Sequence, residues 1–226
     1  MDRKNTVFIV PVYNEQAVIA KTVNEIPNNF LIICVNDGST DNSNKELEKT
    51  NALIINHPIN LGQGAALQTG IDYALQFPKI EYFVTFDADG QHSVKDAVNM
   101  LGTIKKNDVD IVLGSRFLGK ALNISFTKKI LLKFAIKFTN FYSGVNLTDT
   151  HNGLRVFNRK FAEKINLLMP GMAHSSEIID KIGRGKWRYI EAPVTIKYDD
   201  YSRLKGQSML NSVNILVDVI LNRAKK

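Results

Sequence analysis

Thr6-Val-Phe-Ile-Val10 and Leu31-Ile-Ile-Cys-Val35 are the two stretches that decide the fold of this 226-residue chain. Both are continuous apolar runs rich in β-branched residues, which predicts strands that are covered on both faces. Each run is followed by a polar turn and then by a pattern with helical spacing, and further runs repeat this order. The alternation predicts βαβ units, and therefore an α/β fold with a doubly wound, mostly parallel sheet flanked by helices.

The first half of the chain alternates between strands and helices, and the second half is mainly helical. The predicted strands are Thr6–Val10, Leu31–Val35, Leu53–Asn56, Tyr82–Phe86, Ile111–Leu113 and 187–197. The predicted helices are 15–26, 42–50, 64–77, 93–106, 127–143, 159–168, 174–183 and 208–222. No linker or internal repeat interrupts the pattern, so we expect a single domain over residues 1–226.

The composition is that of an ordinary globular protein. Hydrophobic residues make up 44% of the chain and charged residues 23%, which excludes a disordered, collagen-like or coiled-coil protein. The single cysteine, Cys34, excludes a disulfide scaffold and a cysteine metal cluster, and the cytoplasm is the expected compartment. The sequence predicts neither a signal peptide nor a membrane span, which needs about 18 uninterrupted apolar residues.

The net charge of +7 comes almost entirely from one stretch without acidic residues, Ile111 to Thr148. Its basic residues are Arg116, Lys120, Lys128, Lys129, Lys133 and Lys137. Lys129, Lys133 and Lys137 form one column at i,i+4 spacing. A second column is apolar: Ile130, Phe134, Phe138 and Phe141. This pattern is typical of a basic amphipathic helix on a membrane surface. The alternatives are a solvated helix whose phenylalanines pack into the core, a nucleic-acid site and a site for a phosphorylated ligand.

Polar residues follow each of the first five predicted strands. In parallel sheets, ligands bind outside the carboxyl ends of the strands. Three of the five segments contain carboxylates, so we predict a functional site along this edge. The segments are Pro11–Glu15, Asn36–Asp41, His57–Gly62, Asp87–His92 and Gly114–Phe117.

Asp87-Ala-Asp89 provides two carboxylates at a strand end, where both can turn toward one cation. Oxygen ligands suit Mg²⁺ and Mn²⁺, which usually share their coordination with substrate phosphates, and Gln91 can add another oxygen. A capped turn before the next helix is the alternative. Asp37 follows a buried strand directly and can accept hydrogen bonds from a nucleobase or ribose. The glycines of Asn60–Leu67 do not match a phosphate-binding loop or a dinucleotide fingerprint, but they let backbone approach a ligand.

In their order along the chain, these motifs resemble those of the family 2 glycosyltransferases of GT-A fold. The resemblance runs from about Val7 to Ser208 and is strongest to the dolichyl- and polyprenyl-phosphate sugar synthases. The motifs are Pro11-Val-Tyr-Asn-Glu15, Asn36-Asp-Gly-Ser-Thr-Asp41, Asn60-Leu-Gly-Gln-Gly64, Asp87-Ala-Asp-Gly-Gln-His92, Gly114-Ser-Arg-Phe117, Asp149…Gly153-Leu-Arg155 and Arg203…Gly206-Gln-Ser208. His151-Asn152 departs from the Thr/Ser-rich family pattern, and residues 1–226 predict none of the carboxyl-terminal membrane helices that many relatives carry.

The resemblance implies an inverting, metal-dependent transfer of a sugar from a nucleotide-diphosphate sugar to a polyprenyl-phosphate type of acceptor. It implies Mg²⁺ or Mn²⁺ as cofactor, held by Asp87, Asp89 and Gln91. It places the donor mainly in residues 1–117 and the acceptor in residues 118–226. The implied donor-binding residues are Pro11, Tyr13, Glu15, Asp37, Gly64, Asp87, Arg116, Arg203 and Ser208. The catalytic candidates are Asp89, Arg203 and, as a general base if the acceptor is a hydroxyl, Asp149.

A lipid acceptor implies a protein that works at the inner face of the cytoplasmic membrane. The expected contact is an anionic membrane surface, reached through the basic helix or through a small separate membrane subunit docked on helix 208–222. Transfer to a saccharide hydroxyl in cell-surface polysaccharide assembly is the second hypothesis. A basic nucleic-acid-binding module is the third, and the acidic edge argues against it because carboxylates repel phosphate. The sugar, the nucleotide base and the acceptor stay open.

Overall fold

In a computed structural model of the chain, all the strands form one seven-stranded sheet in the order β3-β2-β1-β4-β6-β5-β7. The structure describes residues 4–122, 124, 126–169, 171 and 173–198. The strands are β1 (Thr6–Val12), β2 (Leu31–Asp37), β3 (Leu53–His57), β4 (Tyr82–Thr85), β5 (Ile111–Leu122), β6 (Arg155–Asn158) and β7 (Tyr189–Lys197). The helices are α1 (Ile19–Asn24), α2 (Ser43–Leu47), α3 (Gln63–Leu75), α4 (Val94–Lys106), α5 (Phe126–Ser143), α6 (Arg159–Ala162) and α7 (His174–Gly185). The predicted α/β class with a mostly parallel sheet is confirmed.

The sheet is covered on both faces, as the continuous apolar strands predicted. All seven residues of β1 are buried. Successive side chains of a strand point to opposite faces, so Val7 and Ile9 join the core under α3, while Phe8 and Val10 join the core under α1 and α4. A fully buried aliphatic or aromatic side chain contributes about 1.5–3 kcal/mol. The two cores therefore hold the strands from both faces, and the parallel direction of β1, β2, β3 and β4 places their carboxyl ends at one edge of the sheet.

Strand β6 is missing from the sequence prediction, which had no strand between Leu113 and residue 187. β6 inserts antiparallel between β4 and β5, with Thr85 opposite Arg155 and Leu113 opposite Arg155. It is only four residues long and begins with a charged residue, so neither its length nor its pattern indicates a strand. Pairing on both sides, rather than local propensity, makes this segment extended.

Strand β5 is much longer than predicted. It continues from Ile111 to Leu122, so Gly114–Phe117 lies within a strand and the prediction of a loop there was wrong. The parallel partner β7 pairs with it on both sides of a register irregularity between Ser115 and Lys120. The residues after Phe117 alternate between half-buried and exposed, as expected of a strand with one face in solvent.

Helix α5 carries the basic stretch, and its apolar column faces outward. Phe126, Phe134 and Phe141 are 76%, 73% and 91% exposed, and Ile130 is 43% exposed. The opposite side of the helix supplies the buried residues, among them Ile136 at 8%. The alternative in which the phenylalanine column packs into the core is therefore wrong for Ile130, Phe134 and Phe141, while Phe138 of the same column is half-buried and stacks on Tyr142. Among the helices of the described residues, none is both long and apolar enough to cross a membrane.

Two predicted features lie outside the described residues. They are the segment that contains Arg203 and Ser208, and the last predicted helix, 208–222. Three predicted helices are much shorter in the structure: α1 replaces 15–26, α2 replaces 42–50 and α6 replaces 159–168.

Candidate active site

The loops that carry the predicted site leave the sheet side by side. β1 lies between β2 and β4 and is parallel to both, with Val12 opposite Asn36 and Ile9 opposite Thr85. The carboxyl ends of all three strands therefore lie at one edge. The segments that begin at Tyr13, after Asp37 and at Phe86 leave the sheet at this edge, as expected for a ligand site in a sheet of this type.

Asp87 is held in place by two side chains. His92 Nε2 lies 2.8 Å from Asp87 Oδ2, and Gln63 Nε2 donates to Asp87 Oδ1 at 3.1 Å. Burial raises the pKa of Asp87, but the charge and hydrogen bond of His92 and the charges of Arg155 and His174 outweigh it and lower the pKa overall. About a quarter of the side chain, 28%, stays exposed. Asp87 is thus an ionised carboxylate with fixed orientation and access to solvent.

Asp89 lies next to that charge and behaves differently. Its pKa is raised to about 6 by burial, by the charge of Asp87 and, to a smaller extent, by Glu15. Gln91 opposes this shift: its backbone N donates to Asp89 Oδ1 at 3.0 Å, and its amide Nε2 donates to Oδ2 at 2.7 Å. The sequence predicted that the amide oxygen of Gln91 faces a metal. In the structure, the Gln91 side chain contacts Asp89 through its amide nitrogen instead.

The chemistry of this pair fits a divalent cation. A carboxylate whose pKa is raised by the charge of a neighbouring carboxylate is stabilised in its ionised form when a cation binds to both. In the part of the chain that the structure describes, no three His, Cys, Asp or Glu side chains close around one point, so the protein does not form a complete cage. Mg²⁺ commonly binds to one or two carboxylates and takes its other ligands from water and substrate phosphates. Asp87 and Asp89 suit such an open site.

The loop after β1 is locked to the loop after β2. Asn14 adopts a left-handed conformation, with φ of 54°, and its side-chain oxygen accepts from Thr40 N at 2.8 Å. Glu15 N donates to Ser43 Oγ at 2.7 Å. Of the predicted donor-binding residues here, Tyr13 is 44% exposed, while Pro11 is buried within β1 rather than in a loop.

Asp37 makes contacts within the protein that the sequence did not indicate. Its carboxylate lies 2.7 Å from His57 Nδ1 and accepts from the backbone N–H groups of Leu61 and Gly62 at 2.9 and 2.7 Å. It is 2% exposed. These bonds fix the segment that leads into α3, where Gly64 is buried in the first turn. Asp37 thus orients the entry to α3, and its predicted contact with a nucleoside stays a prediction.

Arg116 and Asp149 form a buried ion pair behind the edge. Arg116 Nε donates to Asp149 Oδ2 at 2.6 Å, and its other nitrogens donate to Tyr198 Oη at 2.6 Å and to the His151 carbonyl at 3.0 Å. The Asp149 side chain has no exposed area. Burial lowers the pKa of Arg116, but the charge of Asp149 outweighs it and raises the pKa overall. In this arrangement Asp149 orients Arg116 and does not face solvent, where a general base would meet its acceptor. The predicted contact of Arg116 with the donor and the predicted role of Asp149 as a general base stay predictions.

Arg155 is a charged residue whose contribution sequence reasoning missed. It is 1% exposed, donates to Ser175 Oγ at 3.1 Å, and its NH1 has no hydrogen-bond partner among the described residues. Burial lowers its pKa to about 10, against the charges of Asp87 and Asp149. Burial and the charge of Arg155 also lower the pKa of His174 to about 4. The sequence did contain a signal for Arg155, because it is the one charged residue in the otherwise apolar run Leu154–Phe157.

The chain is similar in sequence to a known family and to several known proteins. A sequence model described as Glycosyl transferase family 2 matches residues 7–165, more than half of the chain. The uncharacterized protein MJ1222 of Methanocaldococcus jannaschii is 32% identical over a gapped alignment of 229 positions, which covers 97% of this chain and 93% of that protein. A UDP-N-acetylglucosamine–dolichyl-phosphate N-acetylglucosaminyltransferase of Methanococcus voltae is 28% identical over a gapped alignment of 243 positions, which covers 97% of this chain and 96% of the relative.

A comparison of folds gives the same architecture. Glucosyl-3-phosphoglycerate synthase from Mycobacterium tuberculosis, solved in complex with Mn²⁺, uridine diphosphate and phosphoglyceric acid, superimposes with a TM-score of 0.70. The match covers 95% of this chain and 78% of that chain at 14% identity, so it supports the fold alone. The predicted GT-A type of sheet is confirmed.

Proposed function

Since the chain belongs to glycosyl transferase family 2 and is a glycosyltransferase, we propose that it moves a sugar from a nucleotide-diphosphate sugar to a polyprenyl- or dolichyl-phosphate acceptor. In this reaction an acceptor phosphate oxygen bonds to the anomeric carbon as the bond to the donor diphosphate breaks. Attack from the opposite face inverts the configuration at that carbon. The observation that carries the proposal is the pair Asp87 and Asp89 at the carboxyl edge of the sheet, with the pKa of Asp89 raised to about 6.

Asp87, Asp89 and Gln91 would hold Mg²⁺ or Mn²⁺. Such an ion, when bound, neutralises charge on the leaving diphosphate and is worth several kcal/mol. The protein's own part is to present two carboxylates at fixed positions, and His92 and Gln63 supply that fixation for Asp87. The Mn²⁺ in the structure of the Mycobacterium tuberculosis synthase, which shares this fold, supports the assignment.

The donor would lie across the edge formed by β2, β1 and β4. Tyr13 and Glu15 follow β1, and the entry to α3 brings the buried Gly64 close to the same edge. Gln63 at the start of α3 already reaches Asp87. Arg203 and Ser208, which the sequence predicts to bind the donor, lie outside the described residues.

The burial of Asp149 and its ion pair with Arg116 favour a phosphate acceptor over a hydroxyl acceptor. A hydroxyl nucleophile needs a general base within hydrogen-bond reach, whereas a lipid phosphate is already anionic. Asp149, the base predicted for a hydroxyl, is enclosed and paired with Arg116 at 2.6 Å. The dolichyl-phosphate acceptor in the name of the Methanococcus voltae relative supports the same choice.

Helix α5 would bring the enzyme to its lipid substrate at the inner face of the cytoplasmic membrane. Its exposed apolar residues Phe126, Ile130 and Phe134 are accompanied by exposed lysines. A helix in a membrane interface typically inserts apolar side chains into the lipid, while its lysines attract anionic headgroups. In the second half of β5, which precedes α5 in the chain, Leu118 and Leu122 are also exposed, by 51% and 42%. A separate membrane subunit on helix 208–222 is the other proposed route, and that helix lies outside the described residues.

The proposal is tested by incubating the protein with labelled UDP-N-acetylglucosamine, Mn²⁺ and a polyprenyl phosphate, and by measuring label that enters the organic phase. GDP- and UDP-linked hexoses are tested in parallel, because a pocket's shape decides which sugar reacts. We expect transfer with one donor and its loss in excess EDTA. Label that passes instead to a saccharide acceptor would favour the second hypothesis. Absence of transfer with every donor, together with retention on DNA at moderate salt, would contradict the enzyme assignment.

A further inference from the structure

Gly153 lies directly against the carboxylate of Asp87. A Cβ atom placed on Gly153 would be 2.1 Å from Asp87 Oδ2 and 2.6 Å from both Cγ and Oδ1. These separations are far below van der Waals contact. The backbone of Gly153 is not among the glycines with positive φ, so its conformation is open to any residue. The requirement for glycine at this position therefore comes from Asp87 and not from the turn.

Neither side of this contact can retreat easily. On one side, Thr85 Oγ1 donates to the Gly153 carbonyl at 2.6 Å. The ladder between β4 and β6, with Thr85 opposite Arg155, anchors the same segment two residues further along. On the other side, His92 and Gln63 hold the two oxygens of Asp87.

The segment that contains Gly153 also supplies a buried positive charge, Arg155, close to the contact between Gly153 and Asp87. Arg155 is 1% exposed and lies two residues after Gly153, and its charge acts on Asp87. The entry to β6 thus gives Asp87 both a space and a counter-charge. A substitution that pushes the carboxylate out of this space also moves it away from its hydrogen bonds.

We propose that Gly153 is a positioning residue for Asp87, because its missing side chain leaves the only space in which the carboxylate can keep its present orientation toward the carboxyl edge. The inference rests on the proposed function, in which Asp87 binds the metal and the donor. The inference assigns a role to Gly153, which lies on the loop before β6 and far from Asp87 in the sequence. In this role, Gly153 determines whether Asp87 and Asp89 can converge on one cation.

A cycle of three variants tests the inference: Gly153→Ala, Asp87→Ala and the double variant. Gly153→Ala is expected to lower Tm by about 4–8 °C, since overpacking a site without slack costs stability. In the Asp87→Ala background the carboxylate is gone, and the same substitution is expected to change Tm by no more than about 1–2 °C. Gly171→Ala is the matched control, because its Cβ would meet nothing within 4 Å.

Binding of Mn²⁺ in the presence of UDP, measured by the EPR signal of free Mn²⁺, gives the second readout. Gly153→Ala is expected to weaken Mn²⁺ binding at least about tenfold, as losses of supporting residues at metal sites do, and the double variant to bind no more weakly than Asp87→Ala. Circular dichroism checks that each variant is folded.

The possible results distinguish the positioning role of Gly153 from the metal-binding role of Asp87. If the Tm loss of Gly153→Ala persists in the Asp87→Ala background, or if Gly153→Ala keeps wild-type Tm and Mn²⁺ binding, the inference is wrong. If the wild type and Asp87→Ala bind Mn²⁺ equally, the metal assignment of the proposed function fails, while the Tm cycle still decides whether Gly153 accommodates Asp87.

Discussion

Replacing Asp89 by Ala separates the chemistry of the site from the stability of the fold. In the described part of the chain, two hydrogen bonds reach the Asp89 carboxylate, and both come from Gln91, two residues away. Each such bond contributes about 1 kcal/mol. The pKa of Asp89 is raised to about 6 by burial and by the charge of Asp87, so the substitution also removes an unfavourable charge. The two effects oppose each other, and we expect the free energy of unfolding to change by no more than about 1 kcal/mol.

The effect on sugar transfer should be far larger. A ligand that holds a cation against a leaving diphosphate supports several kcal/mol of transition-state stabilisation. Loss of about 4 kcal/mol slows a reaction by about 10³-fold. Asp89→Ala should therefore reduce transfer to about a thousandth of the wild-type rate while Tm shifts by no more than about 2–4 °C.

The measurement is the initial rate of label transfer to polyprenyl phosphate, with a thermal melt of each variant in the same buffer. Asp72→Ala is the matched control, because Asp72 is an exposed carboxylate on α3 whose side chain, among the residues that the structure describes, bonds to Gln68 of the same helix and to no other. It should leave both quantities unchanged. Wild-type transfer by Asp89→Ala, or a large drop in Tm with proportionate loss of activity, would refute the reasoning.

Three further predictions concern other parts of the molecule. Lys129, Lys133 and Lys137 should each add about 1 kcal/mol of attraction to anionic vesicles, so changing all three to Glu should abolish co-sedimentation at low salt; equal sedimentation of variant and wild type would contradict this. The matched control changes three exposed lysines elsewhere: Lys106, Lys164 and Lys186. Asp149→Ala should cost about 3–5 kcal/mol of stability because it leaves Arg116 buried without its partner, whereas loss of activity at unchanged Tm would instead favour a general base. Burial raises the pKa of Cys34 to about 12, so its thiol should stay protonated and unreactive toward a thiol reagent at pH 8 until the protein unfolds, and rapid labelling of the folded protein would contradict its buried position.

The parts of the fold that the sequence predicted well are those where burial and local pattern agree. β1 and β2 are continuous apolar runs, and both are buried in the parallel part of the sheet. The polar segments that follow β1 and β2 lie at the expected edge of the sheet, because neighbouring parallel strands have their carboxyl ends at the same edge. The carboxylate pair Asp87 and Asp89 could be found in this way without any knowledge of tertiary contacts.

The parts that the sequence did not predict depend on pairing between distant segments. β6 is a four-residue strand that exists because β4 and β5 bind it from both sides, and β5 extends to Leu122 because β7 pairs with it. No local pattern carries this information. The roles of Arg155 and Gly153 follow from the same insertion, since both residues reach Asp87 only through the β4–β6 pairing.

The orientation of α5 shows a different limit of sequence reasoning. The lysine and phenylalanine columns were visible in the sequence, but the pattern alone allowed the phenylalanines to face either the core or the solvent. The exposure of Phe134 and Phe141 decides between these for the described part of the chain. Only the three-dimensional packing of the other face, through residues such as Ile136, settles which column is buried.

The most direct test of the central claim is the metal dependence of sugar transfer to a lipid phosphate. Purified wild-type protein is given a labelled nucleotide-diphosphate sugar and a polyprenyl phosphate, first with Mn²⁺, then with excess EDTA, and then with Mn²⁺ restored. We predict label in the lipid phase with Mn²⁺, none with EDTA, and recovery when Mn²⁺ is returned. Undiminished transfer in excess EDTA would contradict the role of Asp87 and Asp89, and label that never enters the lipid phase would contradict the acceptor.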